Sequence, residues 1–436
     1  MREDVAERLA RETADFGSTM RAPGMAVMIR RDGQELFSAY LGVADAFRRT
    51  PTTSQTRFGL GSITKQFTAA AILRLQESGA LDIDEPVSTY LSGLATLMNA
   101  PRLRHLLGHT GGLRSALEGA MVTGGPQDAP SLSMLVDELV RRSDHVPPGT
   151  KWQYCNTGYF LLGHVVEQTS GMTLRAYERL HLLERAALPS VFRSTPPTDS
   201  RDALGHIQRA EGFASVAPPD PRFAFGSGDL YASAATLASW QETLWGEDLL
   251  SASSRALMSR AGELADGTAT QYGLGTYVAH FEGHSELSHD GNAAGFSSQV
   301  AWYPDSRLSV AVLINCQTHV AEHLEKRLSA CVLGVGRRST TSEVPHGVPL
   351  LPYVGDYSYG VHRVTVEGCP DGLLIHTPTG RRAMLCPLGE HCFAEAGDPA
   401  MRYVFLVENG SAESFRVERL RKVLGVAERT GAHHGD

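Results

Sequence analysis

The amino-acid sequence predicts an α/β domain of the α+β type, with an antiparallel sheet flanked by helices and an all-helical part, followed by a small antiparallel β-barrel. Strand-like runs lie near both ends of the first part of the chain and enclose segments with helical spacing, which is typical of a sheet covered by helices. The last part holds only short strand-like runs separated by turn residues, which favours a barrel. A polar stretch rich in Pro and Ser separates the two. The sequence therefore predicts a first domain over residues 1–336, a linker over residues 337–352 and a barrel over residues 353–436.

The composition favours a globular protein that binds small molecules or peptides. The 436 residues are 42% hydrophobic, carry a formal net charge of -8 and contain no apolar run of membrane-spanning length, so we expect no membrane partner. No stretch combines clustered basic residues with aromatic residues, which argues against a nucleic-acid partner. Six scattered cysteines without a C-x-x-C pair predict reduced thiols and no metal site. The opening residues lack the apolar segment of a secretory signal, so we expect a cytoplasmic protein whose first helix packs on the body.

The elements of the first domain follow from hydrophobic periodicity and turn residues. Two apolar runs over Met25–Tyr40, separated by Arg31–Gly33, predict a β-hairpin. The spacing becomes helical from Ser62 to about Gly79, and further helical segments follow as far as Trp245. Short strands return over Tyr272–Cys316. Strands at both ends with helices between predict one sheet whose first and last parts pair.

The barrel prediction depends on five short runs of alternating residues. Turn residues separate them, as in a small antiparallel barrel. In chain order the runs read HRVTVE, GLLIHT, AMLCPL, YVFLVE and SFRVER.

Ser62 and Lys65 form the strongest chemical motif, because a separation of three residues places both side chains on one face of a helix. A neutral lysine could take the proton of the serine hydroxyl as it attacks a carbonyl, and burial beside other cations favours the neutral form. The alternative is that Ser62 caps the helix and Lys65 is solvated. Only four of the forty basic residues are lysines, and arginine cannot act as a base, so a lysine at this position indicates proton chemistry.

Two further motifs carry groups that fit acyl transfer. Tyr154 could relay protons and Asn156 could bind a substrate amide, although the pair could also be a core tyrosine and a helix cap. His289, Asp290 and Gly291 precede a strand, where the glycine allows a close approach of the backbone and an N–H could stabilise an oxyanion. A lone histidine at such a place is more often structural.

Taken in chain order, these motifs resemble the S-x-x-K, Y-x-N and H-x-G signatures of penicillin-recognising serine enzymes. The resemblance spans roughly residues 20 to 335 and is strongest to the class C β-lactamase-like branch, which includes D,D-carboxypeptidases, esterases and D-aminopeptidases. It implies a serine β-lactamase-like catalytic domain and a lipocalin-like barrel. The roles that it implies are these: Ser62 as nucleophile, Lys65 and Tyr154 as the proton-transfer pair, Asn156, Gly291 and His289 as substrate and network ligands, and the backbone N–H groups of Ser62 and Asn292 as the oxyanion hole.

Several residues depart from the pattern or imitate it. Histidine replaces the usual lysine of the third motif and Asp290 stands where a small residue is common, which argues against a β-lactamase. Cys155 is interpreted as a packing residue rather than a nucleophile. His109-Thr110-Gly111 also matches H-x-G, but it precedes Tyr154 and is interpreted as the turn that ends a helix.

The resemblance implies an acyl-enzyme on Ser62 that a second nucleophile releases. A catalytic domain followed by one barrel is similar to penicillin-binding-protein-type thioesterases, which close nonribosomal peptides head to tail. We therefore expect a peptidyl thioester with a D-configured terminal residue as substrate, a peptidyl carrier protein as a partner and no cofactor. The alternatives are a cytoplasmic D-aminopeptidase, D-amidase or esterase that uses the same site, and a scaffold without turnover.

Overall fold

The structure is a computed structural model, and the chain forms two compact units. The first contains residues 1–150 and 155–336, and the second contains residues 151–154 and 337–436. Of the predicted linker, residues 337–348 lie outside the described residues. The described residues are 4–19, 22–95, 97, 99–113, 131–142, 145–186, 188, 201–209, 212–217, 221–317, 320–335, 349–359, 362–369, 372–376, 382–389, 391–395, 398–408, 410–419 and 422–430.

The first unit contains helices and an antiparallel sheet. The described helices are α1 (Val5–Thr19), α2 (Thr64–Glu77), α3 (Val87–Tyr90), α4 (Leu103–Leu107), α5 (Leu132–Arg141), α6 (Asn156–Ser170), α7 (Leu174–Glu178), α8 (Ala234–Trp245), α9 (Ala252–Met258) and α10 (Ala321–Leu333). The described strands are β1 (Gly24–Arg31), β2 (Gln34–Asp45), β3 (Thr50–Pro51), β4 (Phe58–Gly59), β5 (His206–Arg209), β6 (Gly212–Ser215), β7 (Tyr231–Ala232), β8 (Tyr277–Phe281), β9 (His284–Ala293), β10 (Phe296–Tyr303) and β11 (Leu308–Ile314).

Seven of these strands form the main sheet, in the order β3-β2-β1-β11-β10-β9-β8. The turn between β1 and β2 contains Asp32 at φ 51° and Gly33 at φ 78°, the left-handed backbone that a two-residue hairpin turn requires. Strand β1 pairs with β11, with Met25 opposite Ile314. The expected pairing of the first and last parts of the chain is therefore confirmed.

Helices cover both faces of the sheet because strands β1 and β11 are apolar on both sides. Val27 and Val312 pack on one face, in a core cluster that also contains Leu9 of α1 and Leu324 of α10. Alternate residues of the same strands, among them Met28, face the larger core cluster that contains α2, α6 and α8. The site described below lies on this second face.

The second unit is a closed eight-stranded antiparallel barrel. Its interior is filled by aromatic side chains, including Tyr357, Phe393, Phe405 and Phe415. The five predicted runs each overlap a strand, and β12, β16 and β19 were missed by the sequence analysis. The strands are β12 (Gly355–Tyr359), β13 (His362–Cys369), β14 (Gly372–His376), β15 (Arg382–Gly389), β16 (Cys392–Glu395), β17 (Asp398–Glu408), β18 (Ser411–Arg419) and β19 (Lys422–Arg429).

Candidate active site

Ser62 lies in a single 3-10 turn, Gly61–Ile63, that leads directly into α2. Gly61 has φ 52°, and a Cβ at this position would lie 2.8 Å from the backbone nitrogen of Asn292. Only glycine accepts both the left-handed backbone and that close approach. The glycine therefore lets the turn that carries Ser62 pack directly against β9.

Lys65 is completely buried, and its amine nitrogen meets three oxygen atoms. Nζ lies 3.0 Å from Ser62 Oγ, 2.8 Å from Asn156 Oδ1 and 2.8 Å from the carbonyl oxygen of Ser227. The ring centre of Tyr159 lies 5.4 Å from the same nitrogen. The structure thus brings the first motif and the asparagine of the second motif into direct contact.

The Ser227 carbonyl is held in place by hydrogen bonds between its own loop and α2. Thr68 Oγ1 donates to the Gly226 carbonyl at 2.7 Å, and the Leu230 N–H donates to Thr64 Oγ1 at 3.2 Å. Both threonines are buried. The loop that supplies one acceptor for Lys65 is therefore fixed to the helix that carries Lys65.

The third motif approaches Ser62 through its backbone. A Cβ on Gly291 would lie 1.8 Å from the carbonyl oxygen of Leu60, so the strand and the turn come closer here than any other residue type permits. This packing places the backbone of Asn292 beside that of Gly61, the residue before Ser62. Two predicted oxyanion donors, the Ser62 and Asn292 N–H groups, belong to these adjoining segments.

His289 is fully buried and points into the first unit rather than to solvent. Its Nδ1 lies 2.6 Å from the Asp290 carbonyl, and its Nε2 lies 2.8 Å from the hydroxyl of Tyr272. A carbonyl only accepts, so Nδ1 carries a proton and donates to it. Together the two contacts hold the imidazole ring in one orientation.

Other predicted residues of the site are placed as follows. Asp290 Oδ2 accepts a hydrogen bond from Asn292 Nδ2 at 3.1 Å. The Cys155 thiol is buried and lies 3.7 Å from the Leu113 carbonyl. Tyr154 belongs to residues 151–154 of the second unit, and its hydroxyl is buried. Its role as a proton carrier stays a prediction, as do the roles of Asn156 and His289 toward substrate.

The sequence analysis missed three aromatic residues near the buried amine of Lys65. His109 is buried, and its ring centre lies 5.2 Å from that of Tyr159 and 4.7 Å from that of Tyr272. The predicted turn at His109 is present, with φ 60° after α4, but the side chain is part of the site. The segment LLGHTGGL, which fits the family pattern, was the available signal.

Burial and nearby groups shift the pKa values of His109 and Tyr159. Burial lowers the pKa of His109 well below its usual value, and Lys65 and His289 lower it further. Burial also raises the pKa of Tyr159, whose hydroxyl donates to the Leu107 carbonyl at 2.7 Å. Both side chains are therefore neutral around pH 7.

Comparison with known proteins assigns the family. The family described as Beta-lactamase matches residues 7–332. The chain belongs to the Beta-lactamase family. Members of this family are serine hydrolases of β-lactamase-like fold, so the resemblance that the three motifs indicated is confirmed.

The similar proteins include a penicillin-binding protein, a D-aminopeptidase and SurE. The putative penicillin-binding protein PbpX of Bacillus subtilis (strain 168) is 28% identical over 296 residues, 67% of this chain and 70% of that protein. A D-aminopeptidase of Cereibacter sphaeroides (strain ATCC 17029) is 29% identical over 429 residues, 88% of this chain and 80% of that enzyme. The crystal structure of SurE aligns with a TM-score of 0.70 at 24% identity over 98% of each chain, which shows a shared fold. Within the described residues, each helix is too short or too polar to cross a membrane.

Proposed function

We propose that this member of the Beta-lactamase family is a serine acyltransferase that forms an acyl-enzyme on Ser62 from a peptidyl thioester and releases it as a head-to-tail macrolactam. The observation that carries the acyl-enzyme step is the 3.0 Å contact between Lys65 Nζ and Ser62 Oγ in a buried site. A base at hydrogen-bonding distance from a hydroxyl is the arrangement that nucleophilic catalysis requires.

The partners of Lys65 suit an amine that exchanges one proton with Ser62. A neutral amine has two N–H donors and one lone pair. The Asn156 amide oxygen and the Ser227 carbonyl only accept, so they match the two donors. The lone pair then faces the Ser62 hydroxyl, which is the one partner of the three that has a proton to give.

The proposed reaction balances in two steps. Ser62 Oγ attacks the thioester carbonyl and gives its proton to Lys65, the C–S bond breaks, and the thiolate leaves with that proton. The N-terminal amine of the same peptide then attacks the ester carbonyl, the C–Oγ bond breaks, and the proton that the amine loses passes through Lys65 to Oγ. The Ser62 and Asn292 N–H groups are the proposed donors to the oxyanion in both steps.

The names of the relatives support a D-configured acyl residue. The matched proteins include D-aminopeptidases, a D-amino acid amidase and SurE, of which one structure was solved with D-Leu. The SurE structure aligns over 98% of both chains. This supports the architecture of a catalytic domain followed by one barrel, which the sequence analysis compared with that of the penicillin-binding-protein-type thioesterases. A peptidyl carrier protein and a cytoplasmic location belong to the same proposal.

The second candidate is hydrolysis at the same site, by a D-aminopeptidase or D-amidase. It is favoured by the D-aminopeptidase match, which extends over 88% of this chain. Water and the amine compete for one acyl-enzyme. An amine of the same peptide acts at an effective molarity of up to about 10⁵ M or more, against about 55 M for water, so a substrate that folds well favours ring closure.

Product analysis separates these outcomes. The protein is incubated with a linear peptide thioester that ends in a D-residue, with its L-ended isomer and with its N-acetylated form, and the products are resolved by mass. We expect the macrocycle from the D-ended peptide with a free amine, and only linear acid from the acetylated peptide. If the peptide with a free amine gave linear acid in the same yield as the acetylated peptide, the activity would be hydrolysis.

A second measurement tests the covalent step itself. A fluorophosphonate probe labels an activated serine. We expect stoichiometric labelling of the protein and none of the Ser62→Ala variant. Absence of labelling in both, together with absence of turnover, would identify a scaffold without activity.

A further inference from the structure

We propose that His109 is a positioning residue, which accepts the backbone N–H of Cys155 and thereby holds Asn156 against the catalytic amine. The inference rests on the proposed acyl-enzyme chemistry at Ser62, but not on the choice between ring closure and hydrolysis. His109 contacts the backbone of the residue next to Asn156, so its proposed action on Lys65 is indirect.

The central contact joins the end of one helix to the start of another. His109 Nδ1 accepts from the Cys155 N–H at 3.1 Å, and Cys155 immediately precedes α6. The next residue is Asn156, whose Oδ1 lies 2.8 Å from Lys65 Nζ. The N-terminus of a helix leaves its first N–H groups without intrahelical acceptors, so this bond satisfies one donor next to the helix start.

Two tyrosines fix the imidazole in the orientation that this bond needs. The ring of His109 packs against Tyr159 and Tyr272, at centroid distances of 5.2 and 4.7 Å. Each tyrosine is itself tied by its hydroxyl, at 2.7 Å to the Leu107 carbonyl and at 2.8 Å to His289 Nε2. The imidazole therefore has little rotational freedom, and Nδ1 stays directed at Cys155.

The bond also requires a neutral imidazole. Nδ1 accepts only while it carries no proton, which places the proton on Nε2. Burial and the neighbouring Lys65 and His289 lower the pKa of His109, so the accepting form persists at the pH of activity. The same contact could not form with a protonated ring, because two N–H groups would then face each other.

The backbone at His109 makes a matched substitution possible. Residue 109 has φ 60°, a left-handed conformation that His, Asn and Asp adopt more readily than other side chains. The asparagine Oδ1 is as many bonds from the backbone as the histidine Nδ1, so His109→Asn keeps both the acceptor and the backbone preference. His109→Leu has nearly the same shape as asparagine but no acceptor. His109→Gln keeps an amide but moves its oxygen one bond farther out.

The experiment measures the rate of fluorophosphonate labelling of Ser62 over a range of probe concentrations, which separates the limiting rate from probe binding. We expect His109→Leu and His109→Gln to lower the limiting rate by about tenfold or more, because the base is no longer positioned, with little change in the binding constant. His109→Asn should stay within about threefold of the parent. Hydrogen exchange at the Cys155 amide should be protected in the parent and in His109→Asn, and should be fast in the other two.

His105 supplies the control, because its Nδ1 also accepts a backbone N–H in the same segment, that of Arg102 at 3.3 Å. His105→Leu should leave the labelling rate unchanged.

Equal limiting rates of labelling in His109→Asn and His109→Leu would overturn the proposal. So would a lower rate in His109→Leu that is fully explained by a smaller fraction of folded protein. If the parent itself is not labelled, the proposed function fails and the positioning role fails with it. Normal labelling without turnover of the thioester would refute only the proposed substrate class, not the positioning role of His109.

Discussion

The buried amine of Lys65 has requirements that another cation does not meet. Its partners, Ser62 Oγ, Asn156 Oδ1 and the Ser227 carbonyl, lie within 3.0 Å of one nitrogen atom. A guanidinium has five donors in a planar fork and no lone pair at protein pH. It could satisfy the two carbonyl oxygens but could not accept the hydroxyl proton.

The variant Lys65→Arg tests this requirement. We expect it to keep the fold but to lose acylation by at least about a hundredfold, the usual contribution of a general base. Fluorophosphonate labelling and far-UV circular dichroism of the same preparation check both statements. Near-normal labelling of this variant would refute lysine as the base.

A second residue-scale prediction concerns the packing of β9 against the Ser62 turn. A Cβ on Gly291 would lie 1.8 Å from the Leu60 carbonyl oxygen, which is backbone and must move to make room. We expect Gly291→Ala to lower kcat by about a hundredfold, because the Asn292 N–H, a proposed oxyanion donor, is displaced.

Gly283, in the turn that precedes β9, provides the comparison. It has φ 89°, and a Cβ there meets no atom within 4 Å. Gly283→Ala strains the turn and costs about 1 kcal/mol of stability, but it should leave kcat unchanged. Equal losses of kcat in Gly291→Ala and Gly283→Ala would show that catalysis does not depend on the close approach of Gly291 to Leu60.

At the scale of elements, a buried cluster of charges anchors the loop that carries Ser227. Arg175 of α7 forms ion pairs with Glu178 and with Asp229, the latter at 3.0 Å, and Asp229 lies two residues after Ser227. Burial, with a smaller contribution from Asp229, raises the pKa of Glu178 to about 7 although Arg175 opposes the rise. The Glu178 carboxyl therefore changes its protonation state near neutral pH.

This pKa predicts a particular dependence of stability on pH. The folded protein binds the Glu178 proton more tightly than the unfolded chain does, whose pKa is near 4.5. The contribution of Glu178 to stability is therefore fully present below about pH 4.5 and is lost as the pH rises to about 7. Relative to Glu178→Gln, the free energy of unfolding of the parent should fall by about 2–3 kcal/mol over this range. Urea titrations of both proteins at a series of pH values measure the difference, and parallel curves would contradict the prediction.

The elements that the sequence predicted correctly are those with strong local signals. The hairpin turn at Asp32 and Gly33 was found because a left-handed backbone favours these residue types, and β11 was found because LSVAVLI is apolar at every position except Ser309. Strand β16 was missed because it has only four residues, and β12 because GDYSY resembles a turn. The pairing of β12 with β19 closes the barrel, which a local pattern does not encode.

The same distinction holds in the site. Ser62 and Lys65 are three residues apart on one segment, so their contact could be predicted from helical geometry. The contact of His109 with Cys155 joins positions 46 residues apart, and nothing local distinguishes that histidine from one that only ends a helix. The three-dimensional packing around Tyr159 and Tyr272 supplies the missing information.

At the scale of the whole molecule, the two compact units have separate hydrophobic cores. The core clusters of the first unit contain β1, β11 and their covering helices, and that of the second contains the aromatic interior of the barrel. The barrel interior is built from side chains such as Phe393, Phe405 and Phe415, whose rings lie within 5.6 Å of a neighbouring ring in that group. It is packed as a protein core.

Separate cores predict separate responses to core substitutions. Phe415→Ala removes a large side chain from the barrel interior and should destabilise that unit by about 3–5 kcal/mol, whereas Leu313→Ala should destabilise the first unit by about 2–5 kcal/mol. Scanning calorimetry of both variants checks this. Because each core is closed within its own unit, we expect the two substitutions to lower different unfolding transitions, with the Ser62 labelling rate retained at 25 °C in Phe415→Ala. A single transition that both substitutions lower together would instead show that the units unfold as one.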